Sequence, residues 1–574
     1  VRRFAPEAGL LLLGALLLLP ALGSAPIERA EIYFLDAARG MVESGDWLVP
    51  RYRGEPFYDK PALTYWAMAT AMGAFGTAEG PGRLPSVLAA LGTLLATVAL
   101  GRTLLGLPAG RLAALMLVTT PALLAFGRTA MSDMLLTLWT ALAVLLMARL
   151  GWDGARPASG AWFALAAVLG LGFLTKGPIA VLLPGLFALA LLRRRGLRGV
   201  AWPSPSVALA ALGLCAVLAL GWFAVLYAVH GSGPLEWFFL RENLERFKGA
   251  TYDAGRPAWY YLPTYFAEAL PWSPAVALAL AALVRRQAPP AIGLLFEWVA
   301  LALVPLSLSK GKIDYYLLPL YPPLALCAAW WLERATARTS GAALRAWAAV
   351  LALALCGLAL LPAPFDPRWL PAAASQFALR GVLVVGGAAL LLLAWRPEPR
   401  RLVATLAATS AAASLLLFAA YAPAFRAAQP NAELTADVAR ERRFVPAAQL
   451  VYCDDSARAE RDVLFHARHA GWHECGLWAF AGDERPFLFL LTPEEEASLR
   501  GAAELREVSR YPMLGATALG LRGLLAGVEP TEVVLLANFA TEDPVAEKKR
   551  KREFRKERKR AIRALEEAGE DLPD

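Results

Sequence analysis

Apolar runs of about 18 residues or more recur through roughly the first 420 positions of this chain, each long enough to cross a hydrocarbon core of about 30 Å as a helix. That recurrence decides the solvent. Only 18% of the residues are charged and 57% are hydrophobic, whereas a soluble chain has about 25% charged residues. A mainly α, polytopic membrane protein is expected. Candidate spans begin near Gly9, Leu84, Ala109, Met131, Ala161, Ile179, Val207, Pro271, Ala291, Tyr315, Leu344, Gly381 and Leu402, about thirteen by hydropathy. The first run follows Arg2 and Arg3, so a cleaved signal peptide is a rival reading, although no clean small-x-small cleavage site follows it.

Basic residues in short loops set the orientation. Arg102 and Arg111, Arg149 and Arg156, Arg193 to Arg198, Arg285 and Arg286, Arg334 to Arg345 and Arg396 to Arg401 fall on one face, which is expected to be cytoplasmic. The long loops bearing carboxylates then gather on the other side. The most elaborate runs from Pro26 to Trp66, with Glu28, Glu31, Asp36, Asp46, Asp59 and Lys60 among many aromatics. Pro50, Gly54, Pro56 and Pro61 impose sharp changes of direction, so folded structure is expected there.

Residues 1–424 are read as the membrane domain, with 26–83 as its first outer loop carrying amphipathic helices. From 425 to 543 the composition is that of a small soluble α/β domain, with helices over Thr435–Arg442, Ala457–Arg468 and Glu494–Leu499 and strands over Gln449–Cys453 and Pro486–Leu491. An odd span count puts this domain outside, where Cys453 and Cys475 are compatible with a disulfide; Cys215, Cys327 and Cys356 fall in apolar spans. Residues 544–574 form a tail, basic in EKKRKREFRKERKR and then acidic. It reads as a solvated tail or charged helix, with anionic lipid headgroups a better partner than nucleic acid. Of the four histidines, His466, His469 and His473 have suggestive spacing but read as a helical surface cluster in the soluble domain. No metal site is assigned, although two carboxylates in the first loop are compatible with a divalent ion.

GDWLVPRYRGEPFYDKPALTYW resembles the first outer loop of the lipid-linked glycosyltransferases that include the aminoarabinose transferase of lipid A and the bacterial relatives of protein O-mannosyltransferases. RTAMSDML, GFLTKGPIAVLLP, WFFLRENLERF, YYLPTYFAEALPWSP and SKGKIDYYLLPLYPPLAL resemble later segments of that family in the same order, so the likeness covers the membrane domain. The resemblance implies a GT-C fold in the bacterial inner membrane with its site facing the periplasm. It also implies inverting transfer of a sugar from a polyprenyl-phosphate donor to a glycolipid or protein acceptor, with no cofactor required. Such chemistry needs a carboxylate to take the acceptor proton and a cation to steady the departing phosphate.

Carried onto this chain, the family's opening Asp-Glu pair falls on Ala30 and Glu31, and its Arg-Tyr pair on Tyr33 and Phe34. The usual catalytic Asp is therefore missing, as is the Arg. Glu31 is the expected base, with Glu28 as alternative; as a bland reading, Glu31 is a solvated acid at a helix start. Asp59 and Lys60 match the family's Glu-Lys pair, with Lys60 expected on the lipid phosphate. Asp133, Lys176, Arg241, Arg246, Lys312 and Tyr316 complete the expected donor site, each against a bland alternative as interfacial anchor or cap. A flippase for the same lipids and a membrane scaffold are the competing functions.

Overall fold

The computed structural model describes residues 5–25, 27, 30–152, 159–249, 255–335, 337–360, 373–396, 398–428, 431–446, 448–452, 472–474, 485–500, 505–513 and 531–539. Glu28, Cys453, Cys475, His466, His469 and the tail from 544 lie outside these residues, as does the helix expected over Ala457–Arg468.

Eight described helices are long and apolar enough to cross a membrane: Glu79–Leu104, Ser132–Gly151, Ser159–Lys176, Pro205–His230, Pro290–Leu308, Gly341–Leu360, Gln376–Trp395 and Pro399–Ala424. The chain is a multi-pass membrane protein. The remaining spans expected from sequence fall on shorter helices, Ala5–Leu18, Leu107–Val118, Ile179–Arg195, Ser273–Val284 and Tyr321–Arg334. The span expected to open at Tyr315 begins later, because Asp314–Leu320 is wound as a 3-10 segment before the α-helix starts at Tyr321. Side chains such as Leu209 and Val217 on Pro205–His230 are 73% and 69% exposed, a pattern that suits lipid and would be a liability in water.

Between helices, small residues let backbones approach. A Cβ added at Gly101 would lie 2.3 Å from the Gly110 Cα, so Glu79–Leu104 and Leu107–Val118 pack main chain against main chain. Two buried hydroxyls are satisfied within their own helix: Thr93 donates to the Ala89 carbonyl at 2.8 Å and Thr97 to that of Thr93 at 2.7 Å.

The segment between the first two apolar helices, expected as the first outer loop, is folded. Its helix Glu31–Ser44 buries Ile32, Leu35, Ala38 and Met41 at helical spacing, and ends where Gly45, at φ +74°, returns its N–H to the Met41 carbonyl. A short hairpin of β1 (Arg51–Tyr52) and β2 (Glu55–Pro56) follows, then the helix Ala62–Phe75, which packs on Glu31–Ser44. The C-terminal region forms a mixed five-stranded sheet of β3 (Gln449–Tyr452), β4 (Trp472–Glu474), β5 (Phe487–Leu491), β6 (Arg506–Met513) and β7 (Thr531–Ala537), in the order β4-β3-β5-β7-β6. β3 runs parallel to β4 and β5, while β7 is antiparallel to β5 and β6. Strand alternation divides this sheet's side chains. Leu450, Leu488, Leu490 and Leu535 join the core of the first loop, whereas Val451, Phe487, Phe489 and Leu536 pack around Leu499. On the helix Ala422–Ala428, ahead of the sheet region, Arg426 pairs with Glu79 and donates to the Gly23 carbonyl at 2.8 Å.

Candidate active site

Lys60 lies in the turn before the Ala62–Phe75 helix, where its Nζ donates to the Asp59 carbonyl at 2.8 Å and sits 3.9 Å from a Glu242 carboxylate oxygen. The Trp237 indole donates to Asp59 Oδ1 at 3.1 Å. Burial pushes the Lys60 ammonium down to about 8, against the pull of Asp59. The partners on the far side come from Trp237–Glu245, a π-helical stretch whose wider turn is the kind often found at functional sites. From it Glu242 accepts from Arg246 at 3.1 Å, and Arg241 lies 4.6 Å over the Trp237 ring.

Lys176 ends the Ser159–Lys176 helix and pairs with Asp133, at the start of Ser132–Gly151; its Nζ lies 4.9 Å from the Tyr316 ring centre. The chain turns at Gly177, at φ +76°, where a Cβ would meet Phe238 at 2.5 Å, so only glycine lets the π-helical stretch come this close. Lys312 is buried and donates to the Ser309 carbonyl at 2.6 Å, while its own carbonyl accepts from Arg256 at 2.9 Å. Tyr33 stacks on Phe57 at 5.6 Å.

All these groups line one cavity of about 980 Å³, so the structure brings together Glu31, Tyr33, Asp59, Lys60, Asp133, Lys176, Arg241, Arg246, Lys312 and Tyr316. They come from segments read as lying on the non-cytoplasmic side. A smaller groove of about 180 Å³ adjoins it, walled by apolar side chains such as Leu182, Leu183, Phe238, Phe247 and Leu306. Asp59, Lys60, Lys176, Glu242, Arg246 and Tyr316 line both, which makes them the junction between a polar chamber and an apolar slot. Eight of the chamber's lining residues are cationic and five are carboxylates, an excess that suits an anion. Among the described residues no three or more His, Cys, Asp and Glu side chains converge as a metal site would.

Glu31, the expected base, is held in a buried ion pair. Its carboxylate is 1% exposed and forms a two-pronged pair with Arg83, at 2.7 and 2.8 Å, while Oε1 also accepts from the Ala130 N–H at 2.7 Å. Arg83 in turn donates to the carbonyls of Leu22 at 2.6 Å and Ala25 at 3.1 Å. A carboxylate bound in this way holds the first loop to the bundle, and taking up a proton would strand the buried guanidinium. This arrangement suits a residue that positions the loop. Arg128 acts similarly, donating to the Leu18 carbonyl at 2.5 Å and the Pro20 carbonyl at 2.6 Å. Sequence reasoning did not single out Arg83, Arg128, Trp237, Arg256 or Asp314 as site residues. Glu242, which lies between Arg241 and Arg246, was not singled out either.

The fold agrees with what comparison with known proteins finds. Residues 59–222 match the family described as dolichyl-phosphate-mannose-protein mannosyltransferase. The chain is 33% identical over 338 residues to the undecaprenyl phosphate-alpha-4-amino-4-deoxy-L-arabinose arabinosyl transferase of Pseudomonas paraeruginosa, covering 58% of this chain and 60% of that one. It is 35% identical over 304 residues to the protein of the same name from Pseudomonas aeruginosa, covering 52% and 54%. The chain thus spans between half and three-fifths of the length of these relatives. The crystal structure of ArnT from Cupriavidus metallidurans bound to undecaprenyl phosphate superposes with a TM-score of 0.71 over 94% of this chain and 98% of that one, at 19% identity, a likeness of fold.

The class the fold defines is a polytopic membrane protein, of which residues 59–222 match the dolichyl-phosphate-mannose-protein mannosyltransferase family model. Its fold is like that of ArnT, and over half to three-fifths of its length its sequence is similar to the Pseudomonas arabinosyl transferases.

Proposed function

We propose that this protein is an inverting glycosyltransferase that moves a sugar, 4-amino-4-deoxy-L-arabinose or a close relative, from undecaprenyl phosphate to a lipid A-like glycolipid or a protein acceptor. The proposal includes about thirteen spans in the bacterial inner membrane, with the chamber facing the periplasm. The observation that carries it is the junction of chamber and groove. A polyprenyl-phosphate sugar has an apolar chain, a charged phosphate and a polar sugar in series, and the apolar slot, the Lys60, Lys176 and Arg246 cluster and the polar chamber follow in the same series.

In this reading Lys60, Lys176 and Arg246 hold the phosphate and stabilise the charge it gains as the glycosidic bond breaks. Asp59 and Glu242 keep those cations in place before the donor arrives, and Tyr316 and Tyr33 flank the sugar. The names of the Pseudomonas relatives support the sugar and the carrier.

Transfer of labelled aminoarabinose from undecaprenyl phosphate to lipid A by the purified chain in nanodiscs tests the reading. Wild type transfers label, and Lys60→Ala, still folded, loses about a hundredfold or more, as expected when one charge-stabilising donor is removed. Label that crosses a vesicle membrane on its carrier without reaching an acceptor would replace the transferase with a flippase.

A further inference from the structure

With Glu31 engaged by Arg83, the proposed transfer reaction calls for a base elsewhere in the chamber. In an in-line displacement the acceptor attacks the anomeric carbon from the side opposite the departing phosphate, so the base lies in the chamber away from the phosphate junction. Asp59 and Glu242 sit at the junction itself, where a second negative group is repelled by the phosphate. The carboxylates lining only the chamber are Glu31, Asp133 and Asp314. Glu31 is held by Arg83 and Asp133 by Lys176.

We infer that Asp314 is the general base of this chain, standing in for the acid that Ala30 lacks, an inference that rests on the transferase reading above. Asp314 opens the 3-10 segment Asp314–Leu320, and its Oδ1 accepts from the Tyr315 N–H at 2.9 Å. That bond fixes the side chain and leaves Oδ2 without an ion pair or hydrogen bond among the described residues. Tyr315 beside it packs 5.7 Å from Lys176 Nζ, which ties the base to the phosphate cluster through adjacent residues. Its titratable neighbours are Tyr260, Tyr315, Tyr321 and Glu268. Glu268 is pushed up to about 7 by burial and by Asp314, so its proton does not compete for the role of base below neutrality.

The step balances with these groups alone. The acceptor hydroxyl gives its proton to Asp314 as its oxygen bonds to the anomeric carbon. The bond from that carbon to the phosphate oxygen breaks, and its electron pair leaves with the polyprenyl phosphate. Asp314 then returns the proton to water.

The test compares wild type, Asp314→Asn and Asp314→Glu as full chains in nanodiscs, reading transfer of labelled aminoarabinose to lipid A, donor KM and binding of undecaprenyl phosphate alone. Asp314→Asn is expected to lower kcat by about 10²–10⁴-fold, with carrier binding within about threefold of wild type, and Asp314→Glu to recover part of the rate. Transfer by Asp314→Asn within threefold of wild type overturns the inference and leaves the transferase standing, and so does a loss of carrier binding that matches the loss of transfer. Wild type that binds the carrier but transfers nothing removes both.

Discussion

Replacing Glu31 by glutamine separates a structural ion pair from a catalytic acid. Both members of the Glu31–Arg83 pair are 1% exposed, so the substitution leaves a guanidinium buried without its counter-charge. Breaking a buried pair from one side costs about 3–5 kcal/mol. The glutamine oxygen still accepts from Arg83 or from the Ala130 N–H, which places Glu31→Gln near the lower end, about 3 kcal/mol. Arg83→Met is expected to cost more, because it also strips the donor from the Leu22 and Ala25 carbonyls. Thermal unfolding in detergent of both single variants and of Glu31→Gln/Arg83→Met completes a double-mutant cycle. The double variant is expected to be more stable than the sum of the two losses by about 1–3 kcal/mol and, where folded, to keep transferring sugar. Glu31→Gln that melts with wild type yet transfers nothing would refute the reasoning and return the base to Glu31.

Carrier binding is expected to weaken as pH rises through about 8, where Lys60 loses its charge, and to stay flat over the same range in Lys60→Arg; titration calorimetry with undecaprenyl phosphate from pH 7 to 9 checks this. Glu268 has a folded-state value raised to about 7, so the native state holds its proton more tightly than the unfolded chain, and stability falls as pH rises from about 4.5 through 7. Glu268→Gln should therefore raise Tm at pH 8 and leave it unchanged at pH 4.5; equal shifts at both would contradict the assignment. Gly177→Ala puts a Cβ at φ +76° against Phe238, a cost of about 1–3 kcal/mol, and by displacing Lys176 is expected to raise donor KM in steady-state transfer assays.

The first outer loop was legible because its chemistry is local. A burst of acids, prolines and aromatics between apolar runs has few explanations, and Lys60, Lys176, Arg246 and Tyr316 do meet at one junction. The spans were legible by length and hydropathy, although helices such as Leu107–Val118 are shorter than the apolar runs around them suggest. Pairing was not legible. Glu31 finds Arg83 across 52 residues of chain, and nothing in either segment tells a buried strut from a free base until both are placed. Asp314 lies between Lys312 and Tyr316, where a single aspartate carries no spacing signal of its own. The sheet was half legible: β3 and β5 are strongly apolar, whereas β6, REVSRYPM, carries arginines that read as loop until they pair with Glu441, Glu496, Glu507 and Glu532.

The central claim is that the carrier's phosphate rests where the chamber meets the groove. A cryo-electron microscopy map of the full chain in nanodiscs with undecaprenyl phosphate tests it most directly. The account predicts phosphate density touching Lys60, Lys176 and Arg246, with the isoprenoid chain running past Leu182, Phe247 and Leu306. Phosphate density outside the chamber, or a chain lying along a different face with the groove filled by protein, would contradict it.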